Sequence, residues 1–141
     1  MTGSFVFDTN IIVYAYDNSE KPKQKFCLPL VEKVFSGEIT GIVSNQVLAE
    51  IFHVLSRKVE NPDPENAMNI VKGIQESENW TKINYNSGTV IKAASTANSL
   101  KMMLWDCLIA ETMLENNFNS IYTENLKDFN KIQKINAICP F

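Results

Sequence analysis

Apolar positions along this chain follow two alternating rhythms. Short apolar runs bounded by turn residues predict strands at residues 4–7 (SFVF), 40–44 (TGIVS), 80–85 (WTKINY), 120–123 (SIYT) and 135–139 (INAIC). Between them, apolar residues recur at helical spacing over residues 22–36, 45–59, 64–77, 87–101 and 105–117, and the segment IIVYAY from Ile11 also has helical character. Ser36-Gly37 and the Asn-Pro-Asp-Pro run at 61–64 mark stops. Strands separated by helices need crossover connections, so neighbouring strands should run parallel with helices on both faces. The expectation is a single α/β domain over residues 1–141. It should be a three-layer sandwich around a mostly parallel sheet of four to five strands.

One residue breaks the pattern. In SFVFDTNIIVYAY, Asp8 sits among apolar, β-branched and aromatic neighbours, where a carboxylate is costly unless paired, hydrogen-bonded or metal-bound. In open parallel sheets ligand sites gather beyond the carboxyl ends of the strands, and Asp8 follows the first strand. Asp, Thr and Asn are also favoured helix caps, so capping and function both remain open for Asp8.

Composition narrows the choices modestly. With 45% hydrophobic and 21% charged residues, the chain looks like an ordinary globular protein and unlike a disordered, collagenous or disulfide-stapled one. Thirteen Lys and Arg against 16 Asp and Glu give a net charge of −3, so a polyanionic partner would have to be met by local charge. Cys27, Cys107 and Cys139 are few, odd in number and lack CxxC spacing, which argues against a disulfide framework or thiolate zinc site. The opening MTGSFVFD has no basic region and its apolar run is interrupted. A cytoplasmic protein without a membrane span is expected.

Other acids recur at comparable places. Glu50 lies at the edge of the helical stripe Val47, Leu48, Ile51, Phe52, Leu55, near Val54, so its carboxylate either leans over the sheet or faces solvent. Glu50 and His53 have the ExxH spacing of di-iron bundles, but that site needs the motif twice and His53 is the only histidine. His53 therefore reads as a surface residue. Asp106 begins a helix whose inner positions are Ile109, Ala110, Met113 and Leu114, so it can cap that helix while pointing at the sheet. Trp105 beside it reads as core or lid packing in preference to a platform for stacked bases. Thr123, Glu124, Asn125 and Asp128 follow the fourth strand, at the same sheet edge as Asp8.

Taken in order, FDTNIIVYAYD, SNQVLAEIFHVLSRK, WDCLIAETMLENN, SIYTENLKDF and INAICPF resemble the PIN-domain ribonucleases, in particular the VapC-type toxins of toxin–antitoxin pairs. The likeness runs almost end to end. It implies an acidic pocket that binds Mg²⁺ or Mn²⁺ and cuts single-stranded RNA. Asp8, Glu50 and Asp106 match the family's first three acids, and Thr9 and Thr123 match supporting hydrogen-bonding positions. The fourth acid departs from the pattern: Asn125 stands where close relatives have Asp, and Asp128 matches an acid other members carry three residues on. In that scheme Asp8, Asp106 and Asp128 hold metal, Glu50 ligates through water or orients the nucleophile, and Asn125 offers a neutral oxygen. The resemblance further implies a homodimer and a small antitoxin protein that blocks the pocket. Arg57, Lys58 and Lys101 are candidates for phosphate contact, or simply solvated helix ends.

Competing enzyme classes fit poorly. A haloacid-dehalogenase-type phosphatase needs a second acid two residues after the first, where this chain has Asn10. A response-regulator receiver lacks its acidic pair here. The alternative kept open is a PIN-like module that binds RNA or protein without cutting, should Asn125 reflect a weakened pocket.

Overall fold

The computed structural model describes residues 3–57 and 62–141. Five strands form one parallel sheet: β1 (Ser4–Phe7), β2 (Thr40–Ser44), β3 (Trp80–Ile83), β4 (Ser120–Tyr122) and β5 (Asn136–Ile138), in the order β3-β2-β1-β4-β5. The helices among the described residues are α1 (Thr9–Tyr16), α2 (Lys21–Phe35), α3 (Asn45–Ser56), α4 (Pro64–Glu76), α5 (Ser87–Leu100), α6 (Leu104–Glu115) and the single turn α7 (Leu126–Phe129), with a 3-10 turn at Asn18–Glu20. None of these helices is long and apolar enough to cross a membrane.

Neighbouring residues on a strand point to opposite faces. Val6 and Phe7 of β1 and Ile42 and Val43 of β2 are all buried, so helices cover both faces of the sheet, as the three-layer α/β expectation requires. The helices pack in pairs, α1 with α2, α3 with α4 and α5 with α6. Local chemistry explains where they begin. The Ser44 hydroxyl accepts from the Val47 amide at 3.1 Å to start α3, the Asp63 carboxylate accepts from the Asn66 amide at 3.0 Å ahead of Pro64 to start α4, and Asn86 and Thr89 form a reciprocal capping box on α5. Ser36-Gly37 ends α2 as expected, Gly37 taking φ of 82°.

Several element limits differ from the sequence expectation. β3 stops at Ile83 because Asn84 and Tyr85 lead into the Asn86 cap, and β5 covers only Asn136–Ile138. The helix expected over 105–117 begins a residue earlier and ends at Glu115, since Asn117 adopts φ of 64°. The helix expected over 45–59 ends at Ser56; Lys58 and the start of the 61–64 stop lie outside the described residues. Phe52, assigned to the buried stripe of α3, is 40% exposed and lines a shallow apolar groove with Leu48, Met68 and Val71 between α3 and α4. Residues of α4 cover it only in part.

The chain leaves β1 toward β2 and β3 and later returns on the other side of β1 as β4. The carboxyl ends of β1 and β4 therefore form the topological switch point of the sheet, where successive connections diverge and leave a crevice.

β2 also carries a close approach: a Cβ on Gly41 would come within 2.6 Å of the Trp80 ring and 2.8 Å of the Val34 side chain. Both neighbours are buried, so neither ring nor methyl has room to yield. Gly41→Ala should lower stability by about 1–3 kcal/mol through overpacking, read as a reduced midpoint in urea. An unchanged midpoint would contradict this packing.

Candidate active site

Asp8 caps α1 from the end of β1. Its Oδ1 accepts from the Thr9 amide at 2.8 Å and its Oδ2 from the Thr123 hydroxyl at 2.7 Å, while its own amide donates to the Tyr122 carbonyl at 3.0 Å. Capping and clustering are therefore not alternatives here, because one carboxylate does both. Thr123 lies just beyond β4, so the Thr123–Asp8 bond spans the switch-point crevice. Asp8 is 4% exposed. Burial raises its pKa, the two hydrogen bonds oppose that shift, and the nearby Asp106 and Glu50 charges add to it, leaving the carboxyl pushed up to about 6.

Glu50 reaches the same place from α3. Its Oε1 accepts from the Thr9 hydroxyl at 2.6 Å and its Oε2 from the Gln46 amide at 3.2 Å. Of the two orientations open to it, Glu50 takes the one leaning over the sheet. His53 is exposed on the same helix.

Asp106 comes from α6, but it does not cap that helix. The cap residue is Met103, which makes no side-chain cap bond, and Asp106 lies in the first turn, where the positive end of the helix still favours an anion. Its Oδ2 accepts from the Asn125 amide at 2.9 Å. Its pKa is raised by burial, with the Asp128 and Glu50 charges contributing.

The Asn125 side-chain nitrogen also donates to Asp128 Oδ2 at 3.2 Å, and the Asn125 backbone amide donates to the Thr123 hydroxyl at 3.0 Å. Asn125 thus turns its side-chain nitrogen to both acids. Two carboxylates sharing one neighbour need a donor between them. Asp128 is additionally held by Lys131 at 3.1 Å, and the Lys131 and Asn125 bonds keep its pKa below the usual value. Glu124, the other acid of this loop, faces away from this group: it accepts from the Tyr14 hydroxyl at 2.6 Å and pairs with Lys23 at 2.8 Å. Although burial pulls upward, those bonds hold its pKa low.

Asp8, Thr9, Glu50, Asp106 and Asn125 line one cleft of about 470 Å³ together with Asn10, Val13, Tyr14 and Asp17. Arg57 and Lys101 are exposed and do not line it. Among the described residues, no group of three or more Asp, Glu, His or Cys side chains is arranged to hold a metal ion as it stands. Asp8, Glu50 and Asp106 are each turned onto neutral donors, whereas Asp128 also meets Lys131. Gln46 was missed in the sequence. Its spacing four residues before Glu50 on one helix is the signal that could have found it. Trp105, expected in packing, is instead 54% exposed. It sits one residue before Asp106 in the first turn of α6, where no element among the described residues covers it.

A sheet of this order with acids from three remote segments at its switch point defines a class of protein, and the comparisons agree with it. The PIN domain family model matches residues 5–135, and the chain belongs to that family. Among solved structures it is similar to VapBC2 from Rickettsia felis bound to a promoter DNA fragment, with a TM-score of 0.69 and 19% identity over 96% of this chain and 98% of that one. It is also similar to VapC20 from Mycobacterium tuberculosis, described as a sarcin–ricin loop cleaving toxin, with a TM-score of 0.70 and 14% identity over 92% of this chain and 95% of that one. DNA-bound VapBC from Salmonella typhimurium aligns over 100% of both chains, with a TM-score of 0.65 and 18% identity. At these identities the likeness is one of fold. No curated protein matches the chain in sequence.

The raised Asp8 pKa has a consequence for stability. The folded state holds the proton more tightly than the ordinary value of 3.8, so ionising Asp8 destabilises the fold. The penalty is absent below about pH 4, grows as pH rises, and is complete above about pH 6, where it is on the order of 3 kcal/mol. Asp8→Asn in chelator should therefore melt several degrees higher than wild type at about pH 7.5, with the gap closing toward pH 4. A lower melting temperature for the variant at pH 7.5 would overturn this.

Proposed function

We propose that this protein is a divalent-metal-dependent endoribonuclease, the toxin of a toxin–antitoxin pair. One observation carries the reading: a buried carboxylate at the switch point, pushed up to about 6, meets acids from two other remote segments in one open cleft. A fold without function there would replace Asp8 by a neutral cap.

The donor set fits Mg²⁺ or Mn²⁺. Both prefer oxygen ligands, and Mg²⁺ commonly takes only one or two carboxylates with water and phosphate completing the shell, so a closed cage is not required. Asp8, Asp106 and Asp128 would hold the ion. Bound there, it offsets phosphate charge and lowers the pKa of a water toward neutrality.

The chain's own residues set up the rest. Thr123 and the Thr9 amide fix both oxygens of Asp8. Asn125 keeps Asp106 and Asp128 within reach of one another despite their charge. Glu50, oriented by Thr9 and Gln46, accepts the proton of the attacking water. Among the described residues no lysine or arginine lines the cleft, so substrate phosphate depends on the cation.

The substrate class, unpaired RNA, is supported by the family resemblance and by the fold shared with a loop-cleaving toxin. An antitoxin partner is supported by the VapBC complexes among the structural relatives. A homodimer in the cytoplasm completes the proposal.

Cleavage of end-labelled unpaired RNA tests it. Wild type should cut with Mn²⁺ or Mg²⁺ and stop in chelator, while Asp8→Asn and Asp106→Asn should not cut. Thr123→Val, which removes a bond that orients a metal-holding carboxylate, should lose about 10–100-fold in activity. The alternative, a module that binds without cutting, draws on Asn125 and Lys131 both occupying Asp128. Wild type that retains RNA yet never cuts it with either metal would decide for that module.

A further inference from the structure

A second cleft, of about 640 Å³, adjoins the acidic one and shares Glu50 with it. Its walls are Trp105 and Tyr85, with His53, Asn45, Asn84 and Gln46 around them. Apart from Glu50 the lining carries no acid, lysine or arginine. The two clefts thus differ in chemistry across a single side chain, carboxylates on one side and aromatic faces with amides on the other.

Trp105 is the key residue. It is 54% exposed, whereas the only other tryptophan, Trp80, is 1% exposed. Its backbone is not loose: the Gln46 amide donates to the Trp105 carbonyl at 3.0 Å and to Glu50 at 3.2 Å, tying the start of α6 to the acid on α3. Gln46 Oε1 is buried without a hydrogen-bond partner among the described residues.

We propose that this neighbouring cleft is a nucleobase subsite, in which an unpaired base stacks on Trp105 while its phosphate lies at the acids. The proposal rests on the nuclease reading above and names what that site recognises. Unpaired bases are commonly bound on aromatic faces and through amide hydrogen bonds, which are the two chemistries this cleft supplies. A paired base keeps its face in the helix stack and cannot enter. Selection for single strands then comes from Trp105, and metal chemistry from the acids.

Fluorescence and kinetics test the subsite separately from cleavage. With wild-type protein in Mg²⁺, a short unpaired oligoribonucleotide should quench the emission of Trp105 within the first turnover, since Trp80 is shielded. The same oligonucleotide with abasic sites keeps every phosphate and should not quench. In the wild-type background, Trp105→Ala should raise KM about tenfold or more, with the loss falling on KM and not on kcat, and Trp105→Phe should recover most of it. Equal quenching by the abasic oligonucleotide, or a KM within twofold for Trp105→Ala, overturns the subsite. So does a shift from dimer to monomer in Trp105→Ala with no quenching by any RNA, which would give the ring to a second copy of the chain. If wild type cuts nothing while base-dependent quenching persists, the nuclease reading falls and the base subsite stands.

Discussion

The structure depends on keeping one carboxylate out of water. Asp8 is held at the crevice between β1 and β4 by an amide of its own helix on one oxygen and by a hydroxyl from beyond β4 on the other. Burial alone would drive it neutral; the hydrogen bonds pull it back, and the result is a group poised near pH 6. Such a group costs stability at neutral pH, and the cost is repeated in milder form at Asp106. A chain that only needed to close this fold has no physical reason to keep both.

Around that constraint the other acids divide into two kinds. Glu124 and Asp128 carry their own cations, Lys23 and Lys131, and stay easily ionised. Among the described residues, the donors to Asp8 and Asp106 are neutral: Thr123, the Thr9 amide and Asn125. The positive charge absent from this inner pair is what a divalent ion would bring. Asn125 makes the division workable, because a carboxylate in its place would add a further negative charge between Asp106 and Asp128, whereas its amide nitrogen joins them.

Much of this was legible in the chain. Strands β1, β2 and β4 announce themselves as apolar runs closed by polar residues, and the parallel arrangement follows from the helices between them. The acids were legible as candidates because each follows or faces a strand end, and their common identity came from the order of whole motifs. What escaped was set by neighbours distant in sequence. Whether Asp106 caps its helix depends on where α6 starts, and Met103 took that position. The direction of the Asn125 amide depends on two carboxylates it meets only after folding. Trp105 looks like packing by residue type, and its exposure follows from no element among the described residues covering the start of α6. The turn α7 is four residues long, too short for any helical period to appear.

The central claim is that Asp8 and Asp106 hold a cation together, and calorimetric titration of Mn²⁺ tests it most directly. Wild type should bind Mn²⁺ with release of a proton near pH 6, because the ion requires Asp8 ionised, and with less release at about pH 7.5, where it already is. Asp8→Asn and Asp106→Asn should each lose the binding isotherm, and Asp63→Asn at the start of α4, outside the cleft, should keep it. Binding of Mn²⁺ by Asp8→Asn with wild-type affinity, or no binding by wild type at either pH, would contradict the account.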